Sequence, residues 1–353
     1  MKIGILTSGG DCAGLNAVMR GFVRAITAIE SKIEIYGIKD GYAGLINREY
    51  HAIQAEEFSD ILKLGGTILG TSRQSYKKIT QNGDNNKAAQ MKENYRKMDL
   101  NALIILGGQG THKTAAFLSG LGLNVIALPK TIDNDIWGTD FTFGFHSAVN
   151  IATECIDKIQ TTAASHGRTI IVEIMGNKVG WLTLYAGISS GADIILIPEI
   201  PYDMEKLIKA VELVNKQKGF CIIAAAEGAM NEEEAMLTKK ERILKRAEQG
   251  ETTASKRIAK AITEELSIET RIVVPGHIQR GGSPSPYDRV ICTQMGTYAA
   301  KLVKNGCFGV TVALNGGKIS SNKLSDIAGK IKYVPSKHEL IQAAKDVGIS
   351  FGE

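Results

Sequence analysis

Two carboxylates, a hydroxyl and an ammonium crowd into one short run, Pro129-Lys130-Thr131-Ile132-Asp133-Asn134-Asp135, directly after the apolar segment Val125-Ile126-Ala127-Leu128. At the end of a buried strand, charges must be paired or face a ligand. Asp133 and Asp135 stand two apart, so in extended backbone they point the same way. That geometry suits one carboxylate taking a hydroxyl proton while the other manages a cation or a phosphate. An Asx-type turn with solvated charges accounts for the same residues. On this run alone the two readings stand level.

Glycines mark two further strand-to-helix junctions, Gly9-Gly10-Asp11 and Gly107-Gly108-Gln109-Gly110-Thr111. Without Cβ atoms, backbone amides can approach phosphate oxygens, and the helix N-terminus adds partial positive charge. Each turn alone is a weak signal, because glycine turns after strands are common. Neither has Walker spacing and neither reads GxGxxG, which argues against a P-loop NTPase or a nicotinamide site. A third segment, Pro275-Gly276-His277-Ile278-Gln279-Arg280-Gly281-Gly282-Ser283-Pro284, has Arg271 just upstream and Asp288-Arg289 just downstream. A lone histidine there would read as a satisfied core residue. Arg271, His277 and Arg280 so close together favour one anionic ligand.

These residues sit at the ends of apolar runs, at 3–7, 102–106, 125–128, 169–174, 194–197 and 221–224. Runs without alternation, separated by helix-length segments, predict parallel strands buried on both faces, and so a doubly wound α/β protein. In such sheets ligands lie beyond the carboxyl ends of the strands, where the unusual residues fall. Residues 231–250 are acidic first (Glu232, Glu233, Glu234) and basic later (Lys239, Lys240, Arg242, Lys245, Arg246). That order compensates a helix macrodipole and predicts a solvated helix without chemistry. A second helix is expected over 254–265.

At 353 residues the chain exceeds a single core, which implies two domains. With 44% hydrophobic and 22% charged residues it has the composition of an ordinary globular protein. No apolar run reaches membrane-span length, and Lys2 opens straight into a strand-like segment rather than a signal peptide. The five cysteines are scattered and lack CxxC spacing, which argues against disulfides and a zinc site and fits the cytoplasm. A net charge of +5 without clustering speaks against nucleic acid and is compatible with a small anionic substrate.

Taken together, the chain resembles the 6-phosphofructokinase family. The resemblance rests on Leu6-Thr7-Ser8-Gly9-Gly10-Asp11, Gly65-Gly66-Thr67-Ile68-Leu69-Gly70-Thr71-Ser72-Arg73, Thr131-Ile132-Asp133-Asn134-Asp135, Met175-Gly176 and residues 276–284. These occur in the family's order and span residues 4 to about 290. The resemblance implies two doubly wound Rossmann-like domains with mostly parallel sheets and an active site in the cleft between them. Residues 1–144 plus 279–330 would form the phosphoryl-donor domain, and 145–278 plus 331–353 the fructose 6-phosphate domain. Asp133 would be the general base for the sugar's 1-hydroxyl, with Thr131 and Asp135 orienting substrate, phosphoryl group and Mg²⁺; Asp135 is the candidate metal ligand. Arg168, Met175, Gly176, Glu227, Arg271, His277 and Arg280 would hold fructose 6-phosphate. Because Arg168 and Arg271 would reach the 6-phosphate of a neighbouring subunit, a homodimer or homotetramer is implied. Arg73 would bridge the donor's terminal phosphate, and Gly10, Gln109, Gly110 and Thr111 would line the donor pocket.

Two departures from the family pattern strike donor handling. Gln109 stands where Asp usually helps hold the nucleotide's magnesium, and an amide oxygen is a weaker Mg²⁺ partner than a carboxylate. Asn177 replaces the arginine of the usual Met-Gly-Arg. On the donor itself, Gly110 resembles ATP-using members, whereas Lys130 resembles the pyrophosphate type. Gly110 carries more weight, since an Asp carboxylate there would crowd and repel an α-phosphate; ATP is the expected donor. Arg20, Arg24 and Asp193 match parts of the effector pocket of bacterial relatives, but Ala55 and Gln160 replace its expected basic positions. Classical regulation is not expected. A pyrophosphate-dependent enzyme and a non-catalytic sugar-phosphate-binding homologue are the competing readings. Diacylglycerol and NAD kinases share a related glycine turn but do not suit the substrate motifs.

Overall fold

Every unalternating apolar run forms a buried strand. In chain order the strands are β1 (Lys2–Ser8), β2 (Glu34–Ile38), β3 (Tyr50–Ile53), β4 (Ala102–Gly107), β5 (Val125–Pro129), β6 (Thr169–Ile174), β7 (Ile194–Leu196), β8 (Cys221–Ala226), β9 (Thr270–Val273), β10 (Val310–Asn315) and β11 (Lys318–Lys323). The structure is a computed structural model that describes residues 1–81, 86–248, 250 and 253–353. It divides into two units, Met1–Ser147 with Arg280–Lys332, and Ala148–Gln279 with Tyr333–Glu353.

The first unit carries a seven-stranded sheet in the order β11-β10-β5-β4-β1-β2-β3. Its five inner strands run parallel, and the edges β3 and β11 are antiparallel additions. The second unit carries a four-stranded, all-parallel sheet in the order β7-β8-β6-β9. Strands β4, β5, β6 and β8 are buried at every position, as strands covered by helices on both faces must be. Both sheets therefore have the parallel α/β architecture that the apolar runs predict.

Two local expectations fail, each for an identifiable reason. Asn134 adopts a left-handed backbone (φ 53), so the chain bends between Asp133 and Asp135 and the extended-strand argument for parallel side chains does not hold. The 231–250 stretch, of which residue 249 lies outside the described residues, forms two helices, Glu232–Ala235 and Lys239–Glu248. Thr238 restarts the helix: its hydroxyl accepts from the Glu241 amide at 3.4 Å while Glu241 Oε2 accepts from the Thr238 amide at 2.8 Å. This reciprocal pair is a capping box. Nor is the whole charge run solvated, since Glu234 is only 2% exposed. The following helix, Ala254–Leu266, matches expectation.

Candidate active site

At the end of β1 the chain enters Gly9 in a left-handed conformation (φ 92). Residues 71–73 clip onto this turn: the Gly9 amide donates to the Ser72 carbonyl at 3.0 Å, and the Thr71 hydroxyl donates to the Gly9 carbonyl at 2.8 Å. Arg73 is thereby held beside the glycines. A Cβ at Gly10 would collide with the Arg280 guanidinium and lie 3.6 Å from Arg73 Nη2. Lys130 donates its ammonium to the Gly10 carbonyl. Three cations thus converge on one glycine turn, which is an anion-binding arrangement.

Lys130 is 4% exposed. Burial pushes its ammonium below the ordinary lysine value and Arg280 adds to this, while the carboxylates of Asp133 and Asp135 oppose it. The carboxylate turn and the cations therefore share one electrostatic environment. Within the turn, the Asp133 amide donates to Thr131 Oγ1 at 3.0 Å, and Thr142 Oγ1 donates to the Thr131 carbonyl at 2.7 Å. Asn134 Oδ1 accepts from the Thr142 amide at 3.1 Å and from the Lys332 ammonium at 2.9 Å. Thr131 and Asp135 are buried, whereas Asp133 is half-buried. The turn is thus fastened through its neighbours, and Asp133 keeps access to solvent.

The second glycine turn follows β4 without a linker, and the helix Gln109–Gly120 starts immediately. Gly110 is exposed, and a Cβ added there would meet nothing within 4 Å. Thr111 is buried, its hydroxyl donating to the Ser8 carbonyl at 3.3 Å and so tying the two glycine turns together. Gln109 turns its amide toward the Lys330 carbonyl at 3.4 Å. Beneath the turn, His112 Nδ1 lies 2.9 Å from the Gly108 carbonyl and Nε2 lies 2.9 Å from Thr311 Oγ1. A carbonyl can only accept, so Nδ1 carries the proton. Burial holds this ring's pKa down to about 4.

In the second unit, Glu269 brings two of the expected residues together. It accepts from Arg168 Nε at 2.8 Å and forms an ion pair with Arg271. The hydrogen bond from Arg168, with the charges of both arginines, holds the Glu269 carboxyl below the usual range. At the end of β6 the Met175 amide donates to Gln279 Oε1 at 3.2 Å, and Gln279 Nε2 donates to the Gly276 carbonyl at 3.1 Å. That bond ties the Met175-Gly176 turn to the short helix bearing His277, whose side chain is exposed. The Gly228 amide donates to the Gly176 carbonyl at 3.2 Å and so sets Glu227 at the end of β8 beside the same turn. Met175, Gly176, Glu227 and His277 are therefore neighbours, and Arg168 and Arg271 form a separate pair at the opposite, amino-terminal side of β6 and β9. Arg280 belongs to the first unit, at the Gly10 turn.

His112, Lys332, Gln279 and Glu269 position expected residues but went unread in the sequence. Their partners lie up to 199 residues away, and no short-range pattern announces such contacts. Of the effector-like residues, Arg20 donates to the Ser59 carbonyl at 3.0 Å and Asp193 pairs with Lys218 at 2.6 Å. Both have structural work. Among the described residues no group of three or more His, Cys, Asp or Glu could hold a metal, and no helix is long and apolar enough to cross a membrane.

Comparison with known proteins places the chain in a family. A profile described as Phosphofructokinase matches residues 2–303. The ATP-dependent 6-phosphofructokinase of Spirochaeta thermophila is 49% identical over 357 residues, covering 99% of this chain and 97% of that protein. ATP-dependent 6-phosphofructokinase 3 of Bacteroides thetaiotaomicron is 44% identical over 355 residues, covering both chains fully (100% and 100%). Among solved structures, a pyrophosphate-dependent phosphofructokinase from Marinobacter aquaeolei superposes with a TM-score of 0.82 at 21% identity, covering 99% of this chain and 88% of that one. At that identity the likeness concerns the fold alone. With its length matched almost throughout, the chain belongs to the phosphofructokinase family.

Proposed function

We propose that this chain transfers the terminal phosphoryl group of ATP to the 1-hydroxyl of fructose 6-phosphate, giving fructose 1,6-bisphosphate and ADP, a step of glycolysis. The observation that carries the reading is the convergence of Arg73, Arg280 and Lys130 on Gly10, in one electrostatic environment with Asp133. Transfer of this kind rests on positioning and charge neutralisation.

In this reading the first unit handles the donor and the second the sugar. Asp133 accepts the proton of the 1-hydroxyl, whose oxygen forms the new bond to phosphorus as ADP leaves with the electrons of the bond that breaks. Thr131 holds the Asp133 amide, and Asp135 orients the phosphoryl group. Arg73 meets the terminal phosphate. Gly10, Gln109, Gly110 and Thr111 line the donor pocket. Lys130 is engaged with the Gly10 carbonyl, which supports reading it as a brace of the turn rather than a mark of pyrophosphate use.

Mg²⁺ would enter with ATP as the Mg·ATP substrate, with Asp135 as its protein ligand. Bound there, the ion would neutralise charge on the phosphates. Met175, Gly176, Glu227, His277 and Arg280 hold the sugar phosphate. The Glu269-linked pair of Arg168 and Arg271 reaches a neighbouring copy's 6-phosphate, so the working form is a homodimer or homotetramer in the cytoplasm.

A coupled assay of fructose 1,6-bisphosphate formation with ATP or pyrophosphate, repeated on Gln109→Asp, tests this reading. Turnover with ATP is expected. Turnover with pyrophosphate alone would replace the donor, and sugar binding without turnover would leave a binding protein.

A further inference from the structure

Residues 330–334 pass three parts of the proposed machinery in succession. The Lys330 carbonyl accepts from Gln109 Nε2 at 3.4 Å, at the start of the helix that follows the second glycine turn. Ile331 forms an antiparallel bridge with Ile136, and the Lys332 amide donates to the Asp135 carbonyl at 2.9 Å. The Lys332 ammonium meets Asn134 Oδ1, also at 2.9 Å. This segment therefore runs beside the candidate catalytic turn and supports it from main chain and side chain alike.

Beyond Lys332 the chain enters the second unit. There the Val334 amide donates to Glu199 Oε1 at 2.9 Å. The same carboxylate accepts from the Gly180 amide, at 3.1 Å on Oε1 and 3.0 Å on Oε2. Glu199 follows β7 and Gly180 precedes the helix Trp181–Ser189, so one carboxylate fastens Val334 to two elements. Val334 is 2% exposed, which leaves water little access to its amide if that acceptor is lost. Only Tyr333 separates this anchor from Lys332, and so short a link has few dihedrals in which to absorb a displacement.

We infer that Glu199 is a positioning residue for phosphoryl transfer. By holding the Val334 amide it fixes the strap 330–334, and through Lys332 the bend at Asn134 that places Asp133. The inference rests on Asp133 as the proposed base and deepens it: the placement of the proton acceptor depends on a carboxylate of the second unit that acts through the main chain. Glu199 lines a cavity that also contains Glu227, so direct contact with the sugar is the competing role. The two roles split kcat from KM.

The test uses the full chain with Glu199→Ala, Glu199→Gln and Lys332→Met, and with Glu199→Ala/Lys332→Met combined. Glu199→Ala should lower kcat by roughly 10- to 100-fold and leave KM for fructose 6-phosphate within about 2-fold of wild type. Glu199→Gln keeps an oxygen for both Oε1 bonds and should restore kcat to within about 3-fold. Glu199→Asp withdraws the acceptor by one methylene while keeping the charge; it should show the signs of the alanine variant to a smaller degree, and replaces it if that variant does not fold. The double variant should turn over no more slowly than the slower single one, because both changes act on one strap. Independently of activity, the Lys332 amide should exchange its hydrogen about 10-fold faster in Glu199→Ala and return toward wild type in Glu199→Gln, with the amides of β4 unchanged. A raised KM with unchanged kcat, losses that multiply in the double variant, or unaltered exchange at Lys332 would each overturn the inference, as would a glutamine variant as slow as the alanine one. Absence of ATP-dependent turnover in wild type would fail the kinase reading, and the exchange rates would still decide whether Glu199 holds the strap.

Discussion

The Lys332 ammonium lies 2.9 Å from Asn134 Oδ1, between the two aspartates of the candidate catalytic turn. The same ammonium donates to the carbonyls of Thr139 and Asp140 at 2.8 and 2.7 Å, and the Lys332 amide donates to the Asp135 carbonyl at 2.9 Å. One residue therefore holds both sides of the loop that Asn134 bends. Lys332→Met removes three charge-assisted hydrogen bonds from this loop, although Asn134 Oδ1 and the Asp140 carbonyl keep a second donor, and should cost about 1–3 kcal/mol of stability. Turnover should fall by roughly 10- to 100-fold through misplacement of Asp133. Kinetics and urea unfolding on the same variant check this, and full turnover despite lost stability would remove Lys332 from any positioning role.

His112, beneath the second glycine turn, should make the fold acid-sensitive. Its folded pKa of about 4 lies below the unfolded value of about 6.5 because burial disfavours the charged ring. Between those values the unfolded chain binds more protons, so stability is fully present above about pH 6.5 and is lost as pH falls toward about 4. The shift corresponds to about 3 kcal/mol. Chemical denaturation of wild type and His112→Gln across that window should give curves whose difference narrows as the pH falls. A constant difference would contradict the assignment.

How far these features were legible in the sequence depends on the range of the forces involved. The parallel sheets were readable because strands buried on both faces need continuous apolar runs, as Ala102 to Leu106 and Cys221 to Ala224 show. The edge strands β3 and β11 were not, because half-exposed sequences such as Tyr50-His51-Ala52-Ile53 carry no such signature. The residue types of the candidate catalytic turn are legible in the sequence, but its bent backbone is not. Asn tolerates left-handed backbone, and Lys332, 198 residues away, stabilises that bend. In the 231–250 stretch the order of charges suits one helix, but the Thr238–Glu241 capping box divides it into two.

Glu234 anchors the restarted helix. Its carboxylate accepts from Arg246 Nε at 2.7 Å and Arg257 Nη2 at 2.8 Å, and Arg257 also donates to the Tyr202 hydroxyl at 2.6 Å. Burial alone would raise this carboxyl's pKa, but the two guanidinium groups outweigh it and hold the value at about 2. The folded pKa is depressed, so the stabilisation is present above about pH 4.5 and lost as pH falls toward 2, amounting to about 3 kcal/mol. Glu234→Ala leaves the Arg257 guanidinium without its carboxylate in a site where its side chain is 12% exposed, and should destabilise the second unit by about 3–5 kcal/mol. Thermal unfolding at neutral pH measures this, and a change below about 1 kcal/mol would be incompatible with the network.

Gly110 separates the demands of the fold from those of the donor. A Cβ there meets no protein atom within 4 Å, and the residue lies in the first turn of the helix Gln109–Gly120. Gly110→Asp should therefore fold without strain. It should even gain about 0.3–1 kcal/mol, since a carboxylate near a helix N-terminus complements the macrodipole. The same carboxylate would confront the α-phosphate of ATP, so kcat/KM for ATP should fall by on the order of 100-fold, about 3 kcal/mol at the transition state. Because stability and donor use are predicted to move in opposite directions, a general loss of structure cannot imitate the result. Unchanged ATP kinetics in a well-folded variant would mean that the nucleotide does not pass over Gly110, and the donor pocket would have to be sought elsewhere on the first unit.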